Sequence, residues 1–158
     1  MTQIASPLTI GQKAPDFQTT IQDGTQRGSA DYKGKKFVVY FYPRDMTPGC
    51  TAQACNLTEN FDALQEAGIE ILGVSPDPAA KHMKFIEKHA IRFDLACDED
   101  KSLHNAFGVW GLKKFMGKEY EGTHRTTFLI NENGEIHDVI LKPKTKDHAR
   151  EILAGFGV

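Results

Sequence analysis

Cysteine is scarce in this sequence, with three among 158 residues. Secreted domains that are held together by disulfides use a denser and even set of cysteines, so a disulfide framework is not expected. Long apolar segments are also missing, since none approaches the roughly 18 residues that cross a bilayer. The first ten residues carry neither a basic start nor a long apolar stretch, unlike a secretory signal. These absences predict a cytoplasmic protein.

A strong charge imbalance is absent as well, because the formal net charge is -2. Nothing in this balance predicts binding to nucleic acid or to an acidic surface. Apolar residues make up 40% and charged residues 25%, which is typical of a soluble protein. No repeat, low-complexity tract or linker divides the chain, so we expect a single domain over residues 1–158.

Apolar periodicity predicts an alternation of strands and helices. The run FVVYFY at residues 37–42 is typical of a buried central strand. A helix over residues 79–89 should direct Met83, Phe85 and Ile86 inward, while His82 and His89 mark a solvated face. The other predicted elements in this part of the chain are a short strand at 17–21, a helix at 50–67 ended by Gly68, a strand at 69–74, a strand at 93–97 and a helix at 100–107.

The rest of the chain predicts an antiparallel addition to the sheet. Residues 125–130 and 136–141 are strands around a turn at 131–134, and a closing helix follows from residue 146. Residues 108–122 have no clear assignment. The whole pattern predicts an α/β fold in which helices flank both faces of a central mixed sheet, preceded by a short N-terminal extension.

Cys50 stands where a buried strand leads into a helix. Open α/β sheets bind ligands beyond the carboxyl ends of their strands. The free N–H groups and partial positive charge of a helix N-terminus favour a thiolate, which is the nucleophilic form of cysteine. Taken alone, however, Cys50 fits a small buried thiol that does no chemistry better, because free cysteines are usually buried and inert.

The preceding loop offers Thr47, whose hydroxyl can donate to a sulfur and accept from an incoming O–H. Thr47 is just as consistent with a helix cap or a turn residue ahead of Pro48 and Gly49. Pro43 and Pro48 should stiffen the loop.

The other two cysteines differ in what they can do. Five residues of helix place the Cα atoms of Cys50 and Cys55 roughly 8 to 9 Å apart, whereas a disulfide needs less than about 7 Å. A bridge between them therefore requires the helix to unwind, and the alternative is that Cys55 is a core residue. Cys97 is interpreted as a buried structural thiol, and the acidic residues that follow it should raise its pKa.

The segment FYPRDMTPGCTAQAC at residues 41–55 closely resembles the active-site segment of peroxiredoxins of the AhpC/TSA family. The resemblance is strongest to the bacterioferritin comigratory protein branch, also called the Q type. Further matches are APDF at 14–17, ILGVSPD at 71–77, FGVWG at 107–111 and HRTTFLI at 124–130, so that nearly the whole chain is covered.

This resemblance implies a thioredoxin-like fold and a thiol peroxidase that reduces hydrogen peroxide and organic hydroperoxides in antioxidant defence. Pro43, Thr47 and Cys50 match the family's proline, threonine and attacking cysteine, and Arg125 matches its distant arginine. It further implies that Cys50 becomes a sulfenic acid and that thioredoxin, or a related dithiol protein, reduces the enzyme without any cofactor.

Some features of the sequence depart from other branches of that family. No cysteine follows Cys97, and residues 79–89 contain none, so Cys55 is the candidate that condenses with the sulfenic acid. An intramolecular bridge between Cys50 and Cys55 implies a monomer. Cys97 stays open as an alternative partner.

Other functions fit the sequence less well. A protein-disulfide oxidoreductase would need a C-x-x-C motif, and a cysteine phosphatase would need an arginine where Asn56 stands. The six histidines are scattered, without ligand spacing to a cysteine, which disfavours a metal site. A non-catalytic binding or chaperone role remains an alternative for a thioredoxin-like domain.

Overall fold

The computed structural model describes residues 4–158, and residues 1–3 of the expected N-terminal extension lie outside the described residues. The strands are β1 (Gln18–Thr20), β2 (Gln26–Gly28), β3 (Lys36–Phe41), β4 (Ile69–Ser75), β5 (Asp94–Cys97), β6 (Trp110–Phe115), β7 (Lys118–Thr123), β8 (Thr126–Ile130) and β9 (Ile136–Ile140). The α-helices are α1 (Pro48–Glu59), α2 (Phe61–Glu66), α3 (Ala79–His89), α4 (Ser102–Phe107) and α5 (His148–Phe156). A single 3-10 turn, Ser29–Tyr32, follows β2. Across the described residues, no helix is both long and apolar enough to cross a membrane.

The central sheet has the strand order β5-β4-β3-β8-β9. β3 pairs in parallel with β4 and in antiparallel fashion with β8, so the sheet is mixed as predicted. β9 is the antiparallel partner of β8, and the intervening turn is closed where Gly134 N–H donates to the Asn131 carbonyl at 3.0 Å.

Alternate residues of β3 supply two separate hydrophobic cores, because successive side chains of a strand point to opposite faces. Val38 and Tyr40 pack with residues of α1, α2, α3 and α5 on one face. Val39 and Phe41 pack on the other face with α4 and with residues that precede β3. Burial of each such side chain contributes about 1.5–3 kcal/mol. Helices therefore flank both faces, which confirms the predicted architecture.

One predicted helix, residues 50–67, is divided in two at Asn60. The backbone of Asn60 leaves the helical region at φ -103 and ψ 13, and its side-chain amide donates to the Asn56 carbonyl at 2.9 Å. Asparagine competes for main-chain groups in this way, and that explains the break. Gly68, at φ 77, follows α2 as expected.

The interpretation of α3 was wrong for two of its residues. Phe85 is buried as predicted, but Met83 is 37% exposed and His82 is fully buried. Residues three apart share one face of a helix, so His82 and Phe85 both point at the sheet. His89 is half-buried against the ring of Phe85.

Residues 108–122, unassigned from sequence, contain most of a two-stranded hairpin formed by β6 and β7. Its tip is Met116-Gly117, and both residues have positive φ, 51 and 79. Tight hairpin turns of this kind favour glycine or asparagine at both positions. Because methionine occupies the first of these two turn positions, the sequence does not indicate the turn.

Candidate active site

The candidate site lies where β3 ends and α1 begins. β8 runs antiparallel to β3, and Thr126, its first residue, pairs with Phe41, the last residue of β3. Arg125 immediately precedes β8, so the sheet brings it beside the loop that leads to Cys50. This pairing explains how residues far apart in sequence meet.

Cys50 is the third residue of α1, and it is 1% exposed. Arg125 Nη2 donates to the sulfur of Cys50 at 3.2 Å, and Arg125 Nη1 donates to Gln53 Oε1 at 3.0 Å. The sulfur thus faces a permanent cation at the positive end of a helix dipole. Both features place positive charge at the sulfur.

Gly49 leaves room for this contact. A Cβ atom at Gly49 would lie 3.2 Å from Arg125 Nη2, which is closer than nearly all real Cβ contacts. A larger residue at this position would press on the guanidinium group.

Thr47 is the N-cap residue of α1, and its side chain makes no capping hydrogen bond. Its hydroxyl donates to the Arg44 carbonyl at 3.0 Å, and its own carbonyl accepts from Thr51 N–H at 2.9 Å. The hydroxyl proton is therefore directed to Arg44, while the oxygen keeps lone pairs that can accept from a substrate O–H. Pro43 lies at the start of the same loop, half-buried.

Cys55 lies on the same continuous helix as Cys50, and both thiols are free. Burial, and secondarily the charge of Glu59, raise the pKa of the half-buried Cys55 thiol. A regular helix keeps Cα atoms five residues apart beyond disulfide reach, so these two cysteines can join only if the first turns of α1 unwind.

Cys97 ends β5, with β4 between it and β3. Burial and the nearby carboxylates of Glu99 and Asp45 raise its pKa to about 11. The predicted direction of the pKa shift is thus confirmed, but the predicted burial was wrong, because Cys97 is only half-buried at the end of its strand. A thiol that stays protonated at neutral pH is a poor nucleophile.

Gln53 and Lys113 belong to the surroundings of the site and were missed from sequence. Gln53 lies one helical turn after Cys50, and this spacing could have indicated that both share a face. Lys113 Nζ donates to the Thr123 carbonyl at 2.9 Å. Burial and the charge of Arg125 lower the Lys113 pKa, while the charge of Cys50 acts in the opposite direction. Lys113 is therefore a second cation whose field reaches the site.

Within residues 4–158, no group of three or more His, Cys, Asp or Glu side chains is placed to hold a metal ion. The groups that the site brings together are a cysteine sulfur and hydrogen-bond donors. Such a set suits nucleophilic attack on a polarised bond.

Comparison with known proteins gives concordant results. Residues 10–139 match the AhpC/TSA family. Peroxiredoxin Bcp of Escherichia coli strain K12 is 47% identical over 148 residues, which cover 94% of this chain and 95% of that protein. Peroxiredoxin Bcp of Bacillus subtilis strain 168 is 48% identical over 146 residues, with 92% and 93% covered.

A solved structure is similar as well. The bacterioferritin comigratory protein of Xanthomonas campestris, studied for its alkyl peroxide reduction activity, superposes with a TM-score of 0.84 at 34% identity. The match covers 89% of this chain and 90% of that one. This similarity confirms the thioredoxin-like fold that the resemblance implied.

Proposed function

This chain belongs to the AhpC/TSA family and is a thiol-dependent peroxidase, and we propose that Cys50 is the thiol that attacks the peroxide. The observation that carries the proposal is the 3.2 Å contact between Arg125 Nη2 and the sulfur of Cys50. A buried sulfur at a helix N-terminus with a guanidinium beside it is stabilised as a thiolate.

In the proposed reaction, the Cys50 thiolate attacks one oxygen of a hydroperoxide in line with the O–O bond. A new S–O bond forms while the O–O bond breaks, and the departing oxygen takes up a proton and leaves as water or an alcohol. Cys50 becomes a sulfenic acid. Arg125 and the Cys50 N–H stabilise charge on the breaking bond, where preorganised donors have most effect, and the Thr47 oxygen accepts from the O–H of the hydroperoxide. Pro43 shapes the loop, and hydrogen peroxide and organic hydroperoxides are the substrates.

Cys55 is the proposed resolving residue. After the first turns of α1 unwind, its thiol condenses with the sulfenic acid of Cys50, which forms a disulfide and releases water. A dithiol protein, thioredoxin or a relative, then reduces the disulfide by thiol exchange. No other cofactor takes part in this cycle.

The same cycle supports a particular oligomeric state and cellular location for the enzyme. An intramolecular disulfide needs no second chain, which supports a single-domain monomer. Free thiols are kept reduced in the cytoplasm, where a reductant of this kind is available, and this supports a cytoplasmic enzyme of antioxidant defence.

The test follows NADPH consumption with thioredoxin, thioredoxin reductase and hydrogen peroxide. We expect turnover in the wild type and its loss in both Cys50→Ser and Cys55→Ser. Cys97→Ser is the matched control, because it removes the third thiol and should leave turnover intact. Full activity in Cys50→Ser would refute the assignment of the attacking thiol, and loss of turnover in Cys97→Ser would transfer the resolving role to Cys97.

A further inference from the structure

The loop between β3 and α1 carries a carboxylate that is almost fully buried, Asp45, with 1% of its surface exposed. Removing a carboxylate from water is unfavourable unless hydrogen bonds replace the water. Here the Tyr42 hydroxyl donates to Oδ1 at 2.6 Å, and Nδ1 of His82 lies 2.5 Å from Oδ2. The Asp45 N–H donates to Asp77 Oδ2 at 2.6 Å. The proposed reaction uses none of these groups.

His82 connects this carboxylate to the rest of the fold. It is fully buried on α3, and its Nε2 lies 2.9 Å from the carbonyl oxygen of Ala96 in β5. A carbonyl oxygen only accepts hydrogen bonds, so Nε2 carries a hydrogen and donates it. Through this chain of contacts, α3 and β5 hold the loop.

The backbone of Met46, the residue after Asp45, shows why the loop needs a restraint on its conformation. Its φ is 68, in the left-handed region that residues other than glycine rarely adopt. Such a conformation persists where the surroundings over-determine it. The Met46 side chain is 38% exposed, so the restraint comes mainly from the buried Asp45 on one side and from the start of α1 on the other.

We propose that His82 is a positioning residue for the peroxide reaction, which acts through Asp45 to hold the loop in the conformation that places Thr47 at the N-cap of α1, the helix that carries Cys50. This inference rests on the proposed function, in which Thr47 takes part. Without His82, Asp45 keeps only Tyr42 as a buried side-chain partner, Met46 relaxes from the left-handed region, and Thr47 moves. Arg125 approaches from β8 and keeps its contact with Cys50.

The test compares two rates at Cys50 in His82→Leu: reaction with hydrogen peroxide and alkylation by iodoacetamide. Alkylation needs a thiolate but not the hydroxyl of Thr47. We expect the peroxide rate to fall about tenfold or more, as misplaced groups cause, and alkylation to stay within about twofold. His89→Leu, the same change two turns along α3, should alter neither rate. A destabilised but correctly arranged site would not separate the two rates.

A second substitution tests the backbone step. Glycine adopts positive φ without strain, so Met46→Gly in the His82→Leu background should restore most of the peroxide rate. In the wild-type background, the same change should have little effect. A peroxide rate for His82→Leu that equals the wild type, or a parallel fall of both rates without rescue, would overturn the inference.

Asp45 variants give the answer even if His82→Leu does not fold. In Asp45→Asn the amide can accept from the Tyr42 hydroxyl and donate to Nδ1 of His82, so we expect a peroxide rate within about threefold of wild type. Asp45→Ala removes both bonds and should lose about tenfold. Equal peroxide rates for the two variants would overturn the inference. If wild-type Cys50 did not react with peroxide, both the proposed function and this inference would be refuted. A fully active His82→Leu would refute only this inference.

Discussion

Arg125 donates to the sulfur of Cys50 at 3.2 Å, although 75 residues separate them in sequence. The contact exists because β8 lies antiparallel beside β3 and because Gly49 leaves space for the guanidinium group. The other terminal nitrogen of Arg125 donates to Gln53 Oε1. Two residues that lie one turn apart on α1 therefore fix the guanidinium group. The site therefore depends on the sheet topology as much as on α1.

Arg125→Ala should lower the rate of peroxide reaction at Cys50 about 100-fold, because a fixed donor at the breaking bond is lost. Arg125→Lys keeps the charge but loses the forked pair of N–H donors, so its rate should lie between those of the wild type and Arg125→Ala. Stopped-flow kinetics with hydrogen peroxide measure both. Arg92→Ala is the control, since Arg92 forms a surface ion pair with Asp62. A rate for Arg125→Ala equal to that of the control would contradict this role.

Labelling with iodoacetamide should discriminate Cys97 from Cys50. The Cys97 pKa is raised to about 11 by burial and carboxylates, so little thiolate is present at neutral pH. Its labelling rate should rise about tenfold per pH unit below that value. Peptide mass spectrometry of the native protein at several pH values measures the rate at each cysteine. Rapid, pH-independent labelling of Cys97 would disagree with the structure.

Stability should fall with decreasing pH because of His148. Burial lowers the pKa of His148, against the opposing effect of the hydrogen bond that His148 Nδ1 donates to Glu151, so the folded chain keeps His148 neutral below the ordinary value of 6.5. The unfolded chain binds a proton there, and the free energy of unfolding drops as pH falls through about 6.5. Urea titrations at about pH 7.5 and about pH 5.5 measure this drop, which should be smaller in His148→Gln. Equal drops in both proteins would contradict the prediction.

Asn56 links α1 to the start of α5 by two hydrogen bonds. Its Nδ2 donates to the carbonyl of Lys146, just before α5, at 3.0 Å, and its Oδ1 accepts from Ala149 N–H in α5 at 2.8 Å. Asn56→Ala should lower the free energy of unfolding by about 1–2 kcal/mol. The exposed Asn133→Ala should change it by less than about 0.5 kcal/mol. Urea unfolding compares them, and a loss no larger than that of the control would show that the two bonds contribute little.

The predictable part of the fold rests on apolar periodicity. Phe37 to Phe41 alternates between two cores, and this alternation together with the glycine and asparagine turns fixes the order of strands and helices. The hairpin tipped by Met116 was not predictable, because β7 is mainly polar and the turn lacks the usual first residue. Local patterns predict elements well where burial is strong.

The residues of the site also divide into those that the sequence could indicate and those that it could not. Cys50 stands at a recognisable junction of strand and helix, but Arg125 is one of five arginines and was identified only by resemblance. Its proximity to the sulfur depends on a pairing between strands far apart in the chain. His82 was misjudged because a histidine usually favours the surface, while the oxygens that make its burial possible come from Asp45 and Ala96 in other elements.

The most direct test of the central claim is a single-turnover reaction of Cys55→Ser with hydrogen peroxide, followed by mass spectrometry after a sulfenic-acid trap. We expect one equivalent of peroxide to be consumed rapidly and one oxygen to be trapped at Cys50, because the thiolate attacks but no resolving thiol follows. The variant that also carries Cys50→Ser should consume none. Rapid consumption in that double variant, or trapped oxygen at Cys97 in place of Cys50, would contradict the account.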